Sequence, residues 1–355
     1  MIPLFKVNMN SRSKLLNQVI KSGYIGQGKV VEEFEEAFYA LNPNLPVKPL
    51  SVNSCTSAIT MALTLCGVEP GTQVISTAQT CTASNLPVLH HYASIIWADI
   101  NEFGLIDPED VGRKITPETK AIIAVDWAGR FCDYNALKKF GIPIIQDAAH
   151  CLYVDPDNCG DYICWSFQAI KFLTTVDGGA LMVPQDKYEN AKLMRWFGLN
   201  RDANESFRCK QDIKIPGYKF QPHDVGSAIG LGNIENAKKA VVKSRKNAKY
   251  YCDKITNSDV ILHEYDPTCN YWIYTLQLKN QKLRDGFIDY MKINGVSTSQ
   301  VHARNDKHTV FKDSKIDLPN TEYFDKTQIS IPNGFWVTKE QRKEIVRLIN
   351  EFKMD

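Results

Sequence analysis

The stretch Ala121–His150, AIIAVDWAGRFCDYNALKKFGIPIIQDAAH, decides the fold. Ala121–Asp126 and Pro143–Asp147 are short runs dominated by Ile, Val and Ala. They are apolar without alternation, which is how a strand buried on both faces reads. Between them Tyr134–Phe140 has the length and spacing of a helix. Strand, helix and strand in so short a span make a βαβ unit, and that commits the sheet to parallel pairing.

The rhythm continues on both sides. Upstream, Val47–Asn53, Gln73–Thr77 and Ser94–Ile100 read as strands. Ser57–Gly67, with Ala58, Met61, Ala62 and Leu65 on one face, and Ala83–Tyr92 read as helices. Downstream, Tyr162–Phe167 and Ala180–Val183 complete the set. The fold class is therefore α/β, with a three-layer α/β/α large domain around a mostly parallel sheet. Asp224–Asn257 reads as one long helix, and the style then changes. Tyr271–Leu278 alternates, Leu283–Asn294 is amphipathic, and Lys339–Phe352 is a terminal helix with Thr338 as N-cap and Gln341 at the capping-box position. The expected division is a large domain over residues 1–249 and a small α+β domain over 250–355.

A chain of 355 residues with 44% hydrophobic and 23% charged residues is a globular protein of about two domains. The net charge of +2 gives no electrostatic case for nucleic acid. No apolar run approaches the roughly 18 residues of a membrane span, and the opening MIPLFKVNMNSRSK lacks the order of a signal peptide. The ten cysteines form no CxxC and no zinc spacing, so no metal site is expected. They read as reduced thiols of a cytoplasmic protein, mostly small core residues.

Three constellations fall at strand ends. Asn53-Ser54-Cys55-Thr56-Ser57-Ala58 puts hydroxyls where a strand gives way to a helix, a place that suits a phosphate or an ordinary N-cap. Asp147 ends a buried strand and needs a cationic or hydrogen-bonding partner there. In Ser166–Leu181, SFQAIKFLTTVDGGAL, Lys171 lies among apolar and hydroxyl residues before Gly178-Gly179. It is a surface cation or a partly desolvated, nucleophilic amine. A phosphate cradle, a buried carboxylate and an amine together are what pyridoxal 5′-phosphate (PLP) demands.

With these residues in place the sequence resembles the DegT/DnrJ/EryC1/StrS sugar aminotransferases, fold-type I PLP enzymes acting on nucleotide-linked keto-sugars. The matching segments, in the family's order, are Gly23–Gly28 with Val31–Glu35, Asn53–Leu63, Gln146–His150, Ser166–Gly179, Gly217–Ile229 and Ser330-Ile331-Pro332. The resemblance makes Lys171 the lysine that carries the cofactor and Asp147 the partner of its ring nitrogen. It places His150 beside the ring, and Thr56, Ser57 and Ser166 at the phosphate. It implies that His302 lies on the substrate side and Gly26 and Gln27 near the nucleotide-sugar. Two positions depart from the family. Cys81 replaces an aromatic that stacks on the ring. Lys219 replaces an asparagine that reaches the phosphate in the neighbouring subunit, which implies a homodimer with shared active sites.

The implied reaction moves an amino group from L-glutamate to a nucleotide-linked sugar. A UDP- or dTDP-4-keto-6-deoxyhexose, giving a 4-amino-4,6-dideoxy sugar, is favoured; C3 amination is the alternative. A 3-deoxysugar dehydratase of the same family would carry histidine in place of Lys171. A non-catalytic binding protein would lack Lys171 or Asp147. A desulfurase would need a mobile catalytic cysteine loop, for which the sequence gives no setting.

Overall fold

The computed structural model describes residues 1–10, 14–201, 208–311 and 317–354. Its main sheet contains β1 (Leu50–Val52), β2 (Gln73–Thr77), β3 (Ser94–Ala98), β4 (Thr119–Val125), β5 (Ile144–Asp147), β6 (Tyr162–Ser166) and β7 (Gly179–Met182). The order is β1-β7-β6-β5-β4-β2-β3. The strands from β3 through β6 are parallel, and β7 runs antiparallel to both β6 and β1.

Successive residues of each central strand feed opposite layers, because side chains alternate across a strand. Ile122, Ala124, Ile144, Ile163 and Trp165 join one core with Phe34 and Phe38 of the Lys29–Tyr39 helix and Ala237 of the long helix. Ala121, Ile123, Val125, Ile145 and Cys164 join the other, with Ala58, Met61 and Ala62 of the Cys55–Leu65 helix. That is the three-layer arrangement expected from the unalternating strands.

Two segments depart from the sequence reading for local reasons. The Cys55–Leu65 helix starts two residues earlier than expected, because Ser54 caps it by accepting from the Ser57 N–H. The alternating run at Tyr271 becomes a strand only at Tyr274, since Tyr271 takes a φ of 53°, which a ladder does not accommodate. A second sheet of β8 (Val260–Ile261), β9 (Tyr274–Leu278) and β10 (Gln328–Ile331), in the order β10-β9-β8, is fully antiparallel. It packs with the Gln281–Ile293 and Lys339–Glu351 helices around a third core. The Thr338–Gln341 capping box forms as expected. The Asp224–Lys254 helix runs across the expected domain boundary without a break. Among the described residues, no helix is long and apolar enough to cross a membrane.

Candidate active site

The C-terminal ends of β4, β5 and β6 and the N-terminus of the Cys55–Leu65 helix open on one cavity of about 450 Å³. This is where open α/β sheets take ligands. Val125, Asp147, Ser166, Lys171 and the turn Ser54-Cys55-Thr56 line it from the main sheet. Trp272, Val301 and His302 close it from the C-terminal part, and Phe5 from the N-terminal segment.

The loop that carries Lys171 is tied at its neck. Phe167 donates its N–H to Gly178 O and receives Thr175 N–H at its own carbonyl, at 2.8 and 3.0 Å. The Thr174 hydroxyl bonds the same carbonyl at 3.1 Å. Gly179 answers for the Gly-Gly pair. A Cβ there would stand 2.6 Å from Cys55 N and 2.7 Å from Trp165 O, so only glycine lets β7 pass so close to the helix start. Lys171 Nζ lies 3.7 Å from the centroid of the Trp272 ring. Burial pushes its amine down to about 8, against the pull of Asp147.

Asp147 is buried at the tip of β5. Its hydrogen-bond partners are all neutral: the Ser84 hydroxyl at 2.7 Å, the Ala149 N–H at 3.1 Å and the Cys55 thiol at 3.9 Å. Burial raises its pKa, and the Ser84 and Ala149 bonds and the charge of Lys171 draw it back. A buried carboxylate with neutral partners, facing a cavity, is suited to a cationic ligand group such as a pyridinium. His150 accepts the Ala128 N–H at Nδ1, 3.2 Å away, which leaves Nε2 to carry the proton of the neutral ring. Its ring stacks on Trp272 at 4.2 Å, and burial holds its pKa well below the usual imidazole range. His302 lies parallel to His150 at 6.0 Å, and burial pushes its pKa down to about 4. Among the described residues its Nε2 is buried without a hydrogen-bond partner.

The residues singled out in the sequence divide into two groups. Thr56, Cys81, Asp147, His150, Ser166, Lys171 and His302 converge on the cavity. Ser57 does not. It is buried, and its hydroxyl donates to Asn53 Oδ1 at 2.6 Å, so its side chain is occupied in shaping the turn. Gln27 lines a separate groove with Arg201, whose guanidinium donates to Gln27 O at 2.9 Å, and Gly26 O receives the Asp224 N–H. Lys219 is exposed, with Nζ 5.6 Å from the Phe197 ring centroid, and does not line the Lys171 cavity of its own chain.

Sequence reasoning missed Trp272, Phe5, Ser84 and Cys55. Trp272 hides inside an alternating run that reads as strand, and Phe5 lies in an opening segment without periodicity. Cys132, Cys151, Cys159, Cys164 and Cys269 are buried, in keeping with small core residues, whereas Cys55, beside the Cys81 already placed near the ring, also faces the lysine cavity. All ten are free thiols.

The donor set fits PLP: an amine of lowered pKa, a buried carboxylate, and a helix N-terminus dressed with hydroxyls. Comparison with known proteins agrees. Residues 8–350 match the model of the DegT/DnrJ/EryC1/StrS aminotransferase family. The sugar aminotransferase CalS13 of Micromonospora echinospora has the same fold at a TM-score of 0.90, with 30% identity and 99% of each chain covered. AtS13 of Actinomadura melliaura also gives 0.90, at 31% identity and the same coverage. The spore coat polysaccharide biosynthesis protein SpsC of Bacillus subtilis (strain 168) is 27% identical over 346 residues, covering 89% of this chain and 88% of its own. The chain, by motif order, architecture and site alike, belongs to the DegT/DnrJ/EryC1/StrS aminotransferase family.

Proposed function

We propose that this PLP-dependent aminotransferase takes an amino group from L-glutamate and delivers it to C4 of a UDP- or dTDP-linked 4-keto-6-deoxyhexose, in the cytoplasm. The observation that carries the reading is the meeting of the Lys171 amine, the Asp147 carboxylate and the hydroxyl-bearing helix start in one cavity. The sugar acceptor draws support from relatives described as a sugar aminotransferase and as a polysaccharide biosynthesis protein. Free thiols throughout fit a reducing compartment.

Bound PLP supplies an electron sink for the carbanion left when the substrate Cα loses its proton. The protein does the rest. Lys171 holds the cofactor and, once displaced, accepts and returns the proton as a neutral amine, which its desolvated setting favours. Asp147 keeps the ring nitrogen protonated and is itself kept ionised by that charge. The helix start and the Thr56 and Ser166 hydroxyls meet the phosphate. His150 offers its Nε2–H beside the ring. Lys219, exposed on its own chain, reaches the phosphate of a partner copy in a two-fold dimer, and the Gly26–Gln27 loop borders the nucleotide.

The test is an absorbance spectrum of the PLP-loaded protein before and after L-glutamate, followed by the keto-sugar. Conversion to the pyridoxamine form and its reversal by the sugar, with amino sugar as product, is the expected result. A spectrum that glutamate leaves unchanged overturns the donor. Reversal by no keto-sugar overturns the acceptor.

A further inference from the structure

The first ten residues cross the molecule as a strap. At one end the Ile2 N–H donates to Gly295 O at 2.6 Å, Ser297 N–H returns a bond to Ile2 O at 3.0 Å, and Trp336 Nε1 donates to Pro3 O at 2.9 Å. At the other, Asn10 N–H donates to Asn233 Oδ1 of the long helix at 2.7 Å. Between the anchors, Phe5 enters the cavity wall and stacks on Trp272, with ring centroids 5.0 Å apart and planes 26° from parallel. Trp272 is the ring on which the Lys171 amine rests. Phe5 therefore stands one ring away from the reacting amine. With Ile170, Trp272 and Val301 it makes an apolar part of the wall.

We propose that Phe5 is a specificity-determining residue for the acceptor, forming with Trp272 an apolar wall that selects a sugar whose C6 is a methyl group. The inference rests on the reading of the acceptor as a nucleotide-linked 4-keto sugar. When C4 reacts at Lys171, C6 is only two bonds away, and here it is taken to lie on the Trp272 side of the amine, toward Phe5. A methyl there buries apolar surface on the two rings. A C6 hydroxyl there would leave water for a surface of aromatic carbon and lose its hydrogen bonds. Discrimination of this kind in a hydrophobic pocket reaches about ten- to a hundredfold.

The experiment separates binding from turnover. In the Lys171→Ala background, calorimetry measures Kd for two nucleotide-linked sugars, a 4-amino-4,6-dideoxyhexose and its 6-hydroxy counterpart, each on UDP and on dTDP. With Phe5 present the deoxy sugar binds about tenfold or more tighter. In Phe5→Ala and Phe5→Gln the ratio falls to within about threefold. Because the readout is a ratio, a general loosening of the fold, which lowers both affinities alike, does not mimic it. A tenfold preference retained in either variant overturns the proposal. So does a parent that binds both sugars equally, or a pair of variants that bind neither, since Phe5 would then serve packing rather than selection. A parent that binds none of the four sugars instead overturns the acceptor reading, before any Phe5 variant is made.

Discussion

The two halves of the cavity wall are built by different means. In the main sheet, Asp147 and Ser166 end β5 and β6, and Lys171 rides a loop knotted between β6 and β7. Each position is fixed by strand length and a few local hydrogen bonds, and the Lys171 loop carries a single non-glycine bend, Val176 with a φ of 80°. In the C-terminal half, the wall is made by loops bent into uncommon backbone. Val301, immediately before His302, has a φ of 68°, and Tyr271, immediately before Trp272, has a φ of 53°. Buried asparagines hold these bends. Asn305 receives Asn85 Nδ2 at 2.9 Å and donates its own amide to Thr80 O at 2.7 Å, pinning the His302 loop to the segment that follows β2. Asn270 donates to Tyr153 O at 2.9 Å and accepts from the Leu152 and Tyr153 N–H groups. The contrast points to a division of labour: the main-sheet half, with its strand ends and the tied Lys171 loop, holds the groups that move protons, and the pinned loops border the acceptor.

The harshest way to break that division is to remove the amine. Lys171→Ala is expected to lower the glutamate half-reaction by at least about a thousandfold, at the upper end of general acid–base contributions. The purified variant would also lack the absorbance band of covalently held cofactor. Asp147→Asn comes next. Loss of one preorganised charge at a reacting centre costs on the order of a hundredfold or more, and single-turnover absorbance with glutamate would show it. Survival of glutamate turnover in either variant would move the chemistry away from the main-sheet half.

Acidity gives a milder probe of the same half. The Lys171 amine of the cofactor-free protein is held down at about 8 by burial. Below that pH it is protonated and unreactive, so the rate of PLP capture should rise about tenfold per pH unit and level off above pH 8 or so. The signs agree for stability. The folded pKa lies below the unfolded one, so between about pH 8 and 10.5 the unfolded chain holds the proton that the folded chain has released. Stability of the cofactor-free protein from this group therefore grows across that window. A capture rate indifferent to pH from 6 to 9 would mean that Lys171 is not the amine being titrated.

This contrast also accounts for what was legible. The parallel sheet could be read because unalternating runs of Ile and Val this short mark strands buried on both faces, and Asp147 could be read because it ends one of them. Thr338 and Gln341 announce their helix by local chemistry alone. Trp272 and Phe5 could not be found this way. Their place in the wall depends on chain segments more than 250 residues apart meeting across Ile2 and Val296, and no periodicity reports such a meeting. Ser57 shows a different ambiguity. A hydroxyl in a phosphate-like motif invites an outward assignment, and here the Ser57 hydroxyl also serves the turn, bonding Asn53.

For the pinned half, Asn305→Ala is the sharper test. It strips partners from the Asn85 amide and the Thr80 carbonyl in a buried setting. The stability cost should be about 1–3 kcal/mol, seen as a lower Tm. The loop bearing His302 would loosen, so KM for the keto-sugar should rise several-fold. KM for glutamate rising by the same factor would show that the loop serves both substrates, and the division of labour would fail.

The smallest effect belongs to the helix start on the main-sheet side of the cavity. Ser54 caps the Cys55–Leu65 helix through a 3.0 Å bond from the Ser57 N–H, and its hydroxyl also lies 2.9 Å from that of Ser57. Ser54→Ala removes the cap at a cost of about 1 kcal/mol. If that were all, Tm would drop slightly and PLP affinity would be untouched. But the same turn presents Cys55 and Thr56 to the cavity, and fraying it would blur the donors offered to the phosphate. The expectation is therefore a PLP Kd raised about fivefold, with the glutamate rate at saturating PLP within about twofold of the parent. Ser54→Asn and Ser54→Asp can each restore the cap, and a helix considered alone favours Asp at least as well as Asn. Both should therefore recover Tm. PLP affinity should follow a different order, returning with Asn and falling further with Asp, whose charge opposes the phosphate. That split would separate the structural role of the cap from its electrostatic one. Equal rescue of affinity by both would show that the phosphate binds elsewhere, and the helix start would revert to an ordinary cap.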